Sequence, residues 1–266
     1  MKRRKLKDFR NQIQEEIKQK KVIFAVYSIL RVFVLVTLIL QFLNGNYENV
    51  FLCVLTLLLL IVPTFIQLEF KIELPTTLEV IILFFIFAAE ILGEIQSFYL
   101  LFPMWDTILH TLNGFLAAAI GFSLITLLND DSRLQFYLSP VFVCIVAFCF
   151  SMTIGVLWEF FEFGLDRYLG KDCQKDTIVQ EIRSVELDPT KSNTPIKIDN
   201  IHEVYINGEQ PLELGGYLDI GLIDTMKDLI VNFIGAFVFS ILGYFYLKYR
   251  GRGKFIFRFI PQKKEE

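Results

Sequence analysis

Acidic residues, one histidine and one asparagine recur at helical spacing within the most apolar parts of this sequence. The groups are Glu90 and Glu94; Asp106 and His110; Glu159 and Glu162; and Asp224, Asp228 and Asn232. Within each group, neighbouring members are three or four positions apart, so each group shares one helix face. Charged side chains at membrane depth are costly and usually face the interior of a helix bundle. The pattern therefore predicts a functional polar layer.

Carboxylates crowded around one imidazole cannot all be ionised and unpaired in a low-dielectric layer, so something must neutralise them. Protons, the cations Lys227 and Arg31, or a bound metal ion are the three options. Oxygen-rich ligation suits Mg²⁺, Ca²⁺ or Mn²⁺, and a histidine among carboxylates also suits Zn²⁺. The structural alternative is a network of salt bridges and hydrogen bonds that only fixes helix packing.

A divalent cation in such a layer would polarise a phosphoryl or acyl oxygen and lower the pKa of its bound water. The expected metal ligands are Asp106, His110, Asp224 and Asp228. The expected general base is Glu159 or Glu162, with His110 as a further catalytic candidate. The residues expected to support the layer are Glu90, Glu94 and Asn232.

The elements that must position these residues are membrane-spanning helices. The chain has 266 residues and is 54% hydrophobic with 28 Phe, whereas a soluble domain is roughly 45–50% apolar. A helix needs about 20 mostly apolar residues to cross the hydrocarbon core. Six stretches satisfy that requirement: 22–44, 50–67, 78–98, 105–128, 141–163 and 222–247. The sequence therefore predicts an all-α, polytopic bundle of six spans within residues 22–247.

Basic residues are concentrated at the two ends of the chain. Residues 1–21 contain nine Lys and Arg and residues 248–266 contain seven, whereas the short loops 45–48 and 97–104 contain none. Cytoplasmic segments of membrane proteins are enriched in Lys and Arg. We therefore expect a protein of the plasma membrane with both of its basic tails in the cytoplasm.

This topology places most of the polar residues at one depth. The third and fifth spans would run outward and the fourth and sixth inward. With a rise of about 1.5 Å per residue, seven of the ionisable groups fall within ~12 Å of the outer helix ends. They are Glu94, Asp106, His110, Glu159, Glu162, Asp224 and Asp228. Four helices are thus expected to deliver polar groups to one layer.

The segment 166–221 is the one substantial polar stretch, and the topology places it outside the cell. It contains EVYINGE at 203–209, in which an Asn-Gly pair follows a β-prone run. Asn-Gly is the strongest short-range signal for a hairpin. We expect a small cap that contains a β-hairpin.

Other features have simpler interpretations. Arg31 and Glu79 are expected to pair with each other or to reach the cytoplasmic interface. The four cysteines form no CxxC pair, and those in the spans are expected to pack as small apolar residues. No nucleic-acid-binding motif is present, so the expected partners are membrane lipids and a lipid or lipid-linked substrate, and the oligomeric state is left open.

Three sequence blocks carry a resemblance to a known family. They are WDTILHTLNG at 105–114, WEFFEFG at 158–164 and GLIDTMKDLIVNFIGA at 221–236. In this order they resemble the YjdF-like family of bacterial membrane-spanning proteins, a family of unknown function.

A more distant similarity is to VanZ-like proteins, which are associated with glycopeptide resistance and the cell envelope. Their pattern is Asp-x3-His, an acidic residue, and Asp-x3-Asn-x2-Gly. The matching positions here are Asp106 and His110; Glu159; and Asp228, Asn232 and Gly235. The first VanZ-like motif often has Lys where this chain has Thr107.

Three functions are compatible with these observations. The leading hypothesis is a membrane-embedded, metal-dependent enzyme that acts on an envelope lipid or lipid-linked substrate from the outer side. The second is a cation-coupled transporter or permease, since intramembrane carboxylates also form ion pathways. Against it stand the off-centre layer and the absence of an obvious broken helix in the first three spans. The third is a non-catalytic envelope or stress-response protein that binds a partner through its outer loop.

Overall fold

The fold of this chain is described by a computed structural model. It describes residues 2–69, 72–129, 138–249 and 256–263, with side chains from residue 21 onward except 127–129 and 262–263. Residues 130–137, in the predicted inner loop between the fourth and fifth spans, lie outside the described residues, as do parts of both predicted basic tails. The predicted all-α membrane fold is confirmed.

Eight α-helices account for most of the described chain. Their bounds are α1 Lys2–Leu43, α2 Tyr47–Leu59, α3 Val62–Glu69, α4 Thr76–Phe87, α5 Phe98–Leu101, α6 Trp105–Asn129, α7 Pro140–Leu169 and α8 Leu222–Lys248. Five stretches are long and apolar enough to cross a membrane: Lys21–Leu43, Tyr47–Glu69, Trp105–Thr126, Pro140–Leu169 and Leu222–Lys248. They correspond to five of the six predicted spans, and α1 also continues back through most of the predicted N-terminal tail.

The second span is interrupted. The Asn46 side chain accepts a hydrogen bond from the backbone N–H of Asn49 and so caps the start of α2. α2 ends at Leu59 and α3 begins at Val62, with Pro63 in its first turn. Proline has no N–H to donate and is tolerated only in the first turn of a helix. The proline therefore explains why the helix restarts here.

The remaining predicted span, the third, is the α4 stretch, which changes its hydrogen-bond pattern part-way. α4 continues without a break into a π-helical segment, Ala88–Ile95, which contains both Glu90 and Glu94. π-helical turns are rare and frequently occur at functional sites. The π-helical segment changes the hydrogen-bond pattern without breaking the helix, whereas the α2–α3 interruption in the second span was not expected from the sequence.

Pairing between two short strands decides whether this stretch crosses the membrane. β1 (Ile72–Glu73) precedes α4 and pairs antiparallel with β8 (Gln262–Lys263) near the end of the chain. Paired strands lie about 4.8 Å apart, whereas the hydrocarbon core is about 30 Å thick. If α6, α7 and α8 were the only helices that cross the membrane between β1 and β8, the chain would cross three times. The two strands would then lie on opposite faces of the membrane. The α4 stretch must therefore cross as well, which gives six spans.

The C-terminal segment packs inward, although the sequence predicts a basic tail from residue 248 onward. A single 3₁₀ turn, Ile256–Phe259, is followed by β8. Ile256, Phe259 and Ile260 are buried among residues of α4, α6 and α8. The Phe259 ring meets Phe115 of α6 edge-on, with ring centroids 5.2 Å apart. The apolar run in this tail is therefore part of the bundle core.

The chain divides into two compact units. Unit 1 comprises Met1–Ile154 and Val231–Glu266, and unit 2 comprises Gly155–Ile230. The core of unit 1 includes Phe122 and Phe239, which have no exposed surface. Cys53 and Cys144 are buried within unit 1 among apolar residues, as their predicted packing role requires, whereas Cys149 of α7 is exposed and does not pack in this way.

Unit 2 contains the polar loop, which is built from three two-stranded antiparallel ladders. They are β2 (Ile178–Val179) with β7 (Tyr217–Leu218), β3 (Ile182–Ser184) with β4 (Ile196–Ile198), and β5 (Tyr205–Ile206) with β6 (Gln210–Pro211). The β5–β6 pair confirms the predicted hairpin. Its turn has positive φ at Asn207 (54°) and Gly208 (77°), as a type I′ turn requires.

Candidate functional site

A close helix contact in unit 1 lies where α6 meets α8, at two glycines. A Cβ atom added at Gly114 would overlap the Asn232 carbonyl group, and one added at Gly235 would overlap the Thr111 carbonyl group. Since both obstacles are backbone atoms, no side-chain rotation could relieve the overlap. Small residues allow this kind of close approach between membrane helices. The glycines therefore set the distance between the two helices.

A buried amide network surrounds this contact. The Asn113 side-chain amide donates a hydrogen bond to the side-chain oxygen of Asn232, 3.2 Å away. Asn232 is 1% exposed, and its own amide faces the Ser151 carbonyl oxygen of α7 at 3.5 Å. The Ser151 hydroxyl donates to the Gly114 carbonyl oxygen at 2.8 Å. The network links α6, α7 and α8 within unit 1, and we call Asn113, Gly114, Ser151, Asn232 and Gly235 the polar seam.

The predicted pair Asp106 and His110 lies on α6, towards its N-terminus from the seam. His110 Nε2 is 3.4 Å from Asp106 Oδ1, as the spacing of four residues predicts. His110 is 9% exposed and Asp106 is partly exposed. Asn113 follows His110 by three residues, so the pair and the seam share one face of α6. A carboxylate that faces an imidazole can hold the orientation of the ring.

The other predicted catalytic residues belong to unit 2. Glu159 and Glu162 are both on α7, and they have carboxylate oxygens within 4.8 Å of each other. Glu159 is 5% exposed, and Asp228 of α8 is 4% exposed. Lys227 is exposed, so it does not lie on the buried face of α8 that carries Asp228. The predicted neutralisation of the layer by Lys227 is therefore not supported by its position.

Asp224 has a structural contact that the spacing pattern did not reveal. Its Oδ2 accepts a hydrogen bond from the backbone N–H of Lys175 at 2.7 Å. Asp166 accepts from the backbone of Cys173 and Gln174, and Asp219 accepts from that of Thr177. These carboxylates anchor the chain between α7 and β2 to the ends of α7 and α8. Asp219 was missed because its partner Thr177 lies 42 positions away, and Asp166 because its partners, seven and eight residues on, are in a loop with no regular spacing.

The remaining predicted residues lie in the first and third spans. Glu90 is partly buried and Glu94 is exposed, both within the π-helical segment. Glu79 is 7% exposed and is hydrogen-bonded by Gln67. The Arg31 guanidinium lies over the Tyr27 ring, 4.3 Å from its centroid. Among the described residues, the predicted ion pair between Arg31 and Glu79 is not formed.

One carboxylate in the polar loop is held in its ionised form. Asp188 is 6% exposed and accepts hydrogen bonds from the hydroxyl and backbone N–H groups of Thr190 and Ser192. These bonds, led by that from the Thr190 hydroxyl, hold the pKa of Asp188 well below its usual range. All donors are local to the turn, so Asp188 orders the loop between β3 and β4.

The family described as "Predicted membrane protein (DUF2238)" matches residues 25–249 of this chain. The chain belongs to this family. The match includes all three blocks that carry the resemblance to YjdF-like proteins, and that resemblance agrees with it. The similarity to VanZ-like proteins stays a prediction. No curated protein matches the chain, and no solved structure does.

In this DUF2238 protein the three sequence blocks serve different structural purposes. The first block holds Asp106, His110 and the α6 half of the seam, and the third ends with its α8 half, Asn232 and Gly235. The second block holds the two glutamates of α7. Its Gly164 has no atom within 4 Å of a Cβ position, so helix contact does not explain this glycine.

Proposed function

We propose that this membrane protein is an enzyme that uses a divalent cation to act on an envelope lipid or lipid-linked substrate from the outer side. The observation that carries the proposal is the Asp106–His110 pair, in which the buried imidazole lies 3.4 Å from the carboxylate of Asp106, a partly exposed residue in the first turn of α6. Packing alone gives no reason to place such a pair where charge is costly. A cation with oxygen and imidazole ligands gives one.

The polar seam supports this proposal because it fixes the position of α6, the helix that carries Asp106 and His110. A catalytic group must be held within a fraction of an ångström of its productive position. The glycine contact and the Asn113–Asn232 hydrogen bond fix α6 against α8 one turn away from His110. His110 thus sits on a helix whose rotation and translation are both restrained.

The proposed ligands are Asp106, His110, Asp224 and Asp228, with Glu159 or Glu162 as general base. Asp224 already accepts the Lys175 N–H through Oδ2, and a carboxylate can bind a cation through its other oxygen. The burial of Glu159 and Asp228 supports functional roles, since buried carboxylates need a proton or a cation. When bound, the cation would supply Lewis-acid activation of a phosphoryl or acyl oxygen.

The π-helical segment favours a second candidate, cation-coupled transport. Interrupted helices form ion sites in many transporters because they free backbone groups within the membrane. Here the segment carries Glu90 and Glu94, and the second span is also interrupted. Transport would require cation uptake into proteoliposomes that depends on Glu90, whereas the enzyme proposal requires turnover that depends on His110.

The test combines metal analysis with turnover. We expect the detergent-purified chain to retain about one divalent cation, and the Asp106→Asn variant to lose it. Asp172→Asn, which changes an exposed carboxylate of unit 2, is the matched control and should retain the cation. The turnover assay follows a polyprenyl phosphate and phosphatidylglycerol in mixed micelles, with His110→Gln as the inactive variant.

Glu159→Gln and Asp228→Asn separate chemistry from packing, because both swaps nearly preserve side-chain shape. A functional role predicts lost turnover with unchanged or raised thermal stability, since like-charge repulsion is relieved. A packing role predicts lower stability with turnover per folded molecule unchanged. That second result, together with no cation in the unaltered chain, would refute the proposal.

A further inference from the structure

Arg31 is a cation near the middle of the first span. The span runs from Lys21 to Leu43, so Arg31 lies ten residues from one end and twelve from the other. At about 1.5 Å per residue it is roughly 15 Å from either boundary, which is the centre of the bilayer. An arginine side chain is too short to reach the headgroup region from there.

The contacts of Arg31 within the described chain leave its charge without a carboxylate. Its guanidinium lies over the Tyr27 ring, and its Nε is buried with no hydrogen-bond acceptor among the described residues. A cation–π contact is weaker than a hydrogen-bonded ion pair in a medium without water. An acceptor at this depth would therefore stabilise Arg31 strongly.

The helix face around Arg31 is uncovered. Phe24, Leu35 and Phe42 are 71%, 46% and 58% exposed and lie seven residues before, four after and eleven after Arg31. Intervals of four and seven place them on one side of α1, the pattern that helix–helix seams use. Leu30 and Val34, on the side of α1 adjacent to Arg31, are buried within unit 1. Arg31 thus lies where this apolar stripe borders the buried side of α1, with Phe24 before it and Leu35 and Phe42 after it along the helix.

We propose that this stripe, defined by Phe24, Arg31, Leu35 and Phe42, docks a transmembrane helix of another protein that carries a carboxylate at mid-membrane depth. Charge complementarity selects this occupant. A second copy of the chain, packed through the same stripe about a two-fold axis, would bring Arg31 against Arg31. Lipid acyl chains would cover the stripe but offer no acceptor.

The test uses a synthetic helix as the partner. Its probe is a 23-residue Leu/Ala helix, the length of the first span, with one Glu at its midpoint. The comparison probes carry Gln at the midpoint or Glu at one end. Förster transfer between labelled probe and labelled full-length chain is measured in phosphatidylcholine vesicles with a minor share of phosphatidylglycerol. We expect the central-Glu helix to bind roughly three- to tenfold more tightly than either comparison helix.

Variants of the chain locate the binding surface. Arg31→Leu should remove the preference for the central Glu, and Leu35→Ala should weaken binding. Ile29→Ala, which alters a residue 55% exposed on another side of α1, should not. The Arg31→Glu variant should instead bind a probe with a central Arg most tightly. This second charge variant keeps the test informative if Arg31→Leu is poorly folded.

Three results would overturn the proposal. Equal binding of the Glu and Gln helices would show that charge does not select the partner. A preference that survives Arg31→Leu would place the contact elsewhere. Self-association of the chain, cross-linked through cysteines placed at Leu35, would show that the stripe is an interface between copies.

Discussion

Replacing either glycine of the polar seam by alanine should force α6 and α8 apart. In Gly235→Ala the new methyl group would overlap the Thr111 carbonyl oxygen and lie 2.9 Å from the Phe115 backbone nitrogen. In Gly114→Ala it would overlap the Asn232 carbonyl oxygen and lie 2.8 Å from its carbon. Backbone atoms in the middle of helices cannot move separately, so the whole helix must shift.

The expected loss is at the upper end of the overpacking range. Extra volume in a packed core costs typically 1–3 kcal/mol, so each variant should lose about 3 kcal/mol. In a chain of this size that corresponds to a fall in apparent Tm of roughly 6–12 °C. The double variant should lose little more than either single one, because the first substitution already separates the helices.

Gly164→Ala is the matched control. No atom lies within 4 Å of the added Cβ, and Gly164 is within helix α7. Alanine is favoured over glycine in a helix by about 1 kcal/mol, so this variant should be as stable as the unaltered chain or slightly more stable. The apparent Tm of all four variants is measured by heating the detergent-solubilised protein and quantifying the folded fraction by size-exclusion chromatography. If Gly235→Ala unfolds at the same temperature as Gly164→Ala, the close backbone contact is wrong.

Three further predictions address the topology, the loop and the C-terminal segment. A reporter fused after Lys191 should be extracytoplasmic and one at the C-terminus cytoplasmic; the same location for both would refute the six-span topology. Asp188→Asn should lower the apparent Tm at neutral pH. Because the pKa of Asp188 is lowered on folding, the difference in Tm between the unaltered chain and this variant should persist above about pH 4 and shrink as the pH falls through the folded pKa. Asp199→Asn, at an exposed residue, is the control. Phe259→Ala should cost about 3 kcal/mol in free energy of unfolding, whereas Phe257→Ala, at a residue 48% exposed, should cost little; equal effects would show that the segment is not part of the core.

The helices that cross the membrane could be predicted because their requirement is local. A span needs enough consecutive apolar residues, and a sliding count along the chain detects that directly. Thus residues 105–128 were predicted for the helix Trp105–Asn129, and 222–247 for Leu222–Lys248. The hairpin at 205–211 was equally local, since Asn207 and Gly208 alone select its turn.

The features that escaped prediction depend on hydrogen-bond register or on distant contacts. Composition is the same whether Ala88–Ile95 is α- or π-helical, so hydropathy cannot detect the change. The apolar run near Phe259 is too short to span and was assigned to the basic tail. Its burial depends on packing against residues of α4, α6 and α8, which the local sequence does not reveal. Asp224 was predicted from its helix face, but its partner Lys175 lies 49 positions away.

The predicted site residues differ in how far the described geometry supports them. Helical spacing brings Asp106 to His110 and Glu159 to Glu162, because a spacing of three or four residues is sufficient for that. It does not determine a side chain's other contacts. Lys227 is exposed beside buried Asp228, although the two are adjacent in sequence.

The polar seam also determines which substitutions can test catalysis at His110. Asn113→Ala would remove the donor to the Asn232 side chain and leave a buried amide oxygen unpaired, which costs about 1–3 kcal/mol. Lost turnover in that variant would reflect displaced helices as much as lost chemistry. His110→Gln and Asp106→Asn remove the imidazole or the charge and leave the glycine contact intact. A loss of turnover in those two variants, at unchanged Tm, can be attributed to chemistry.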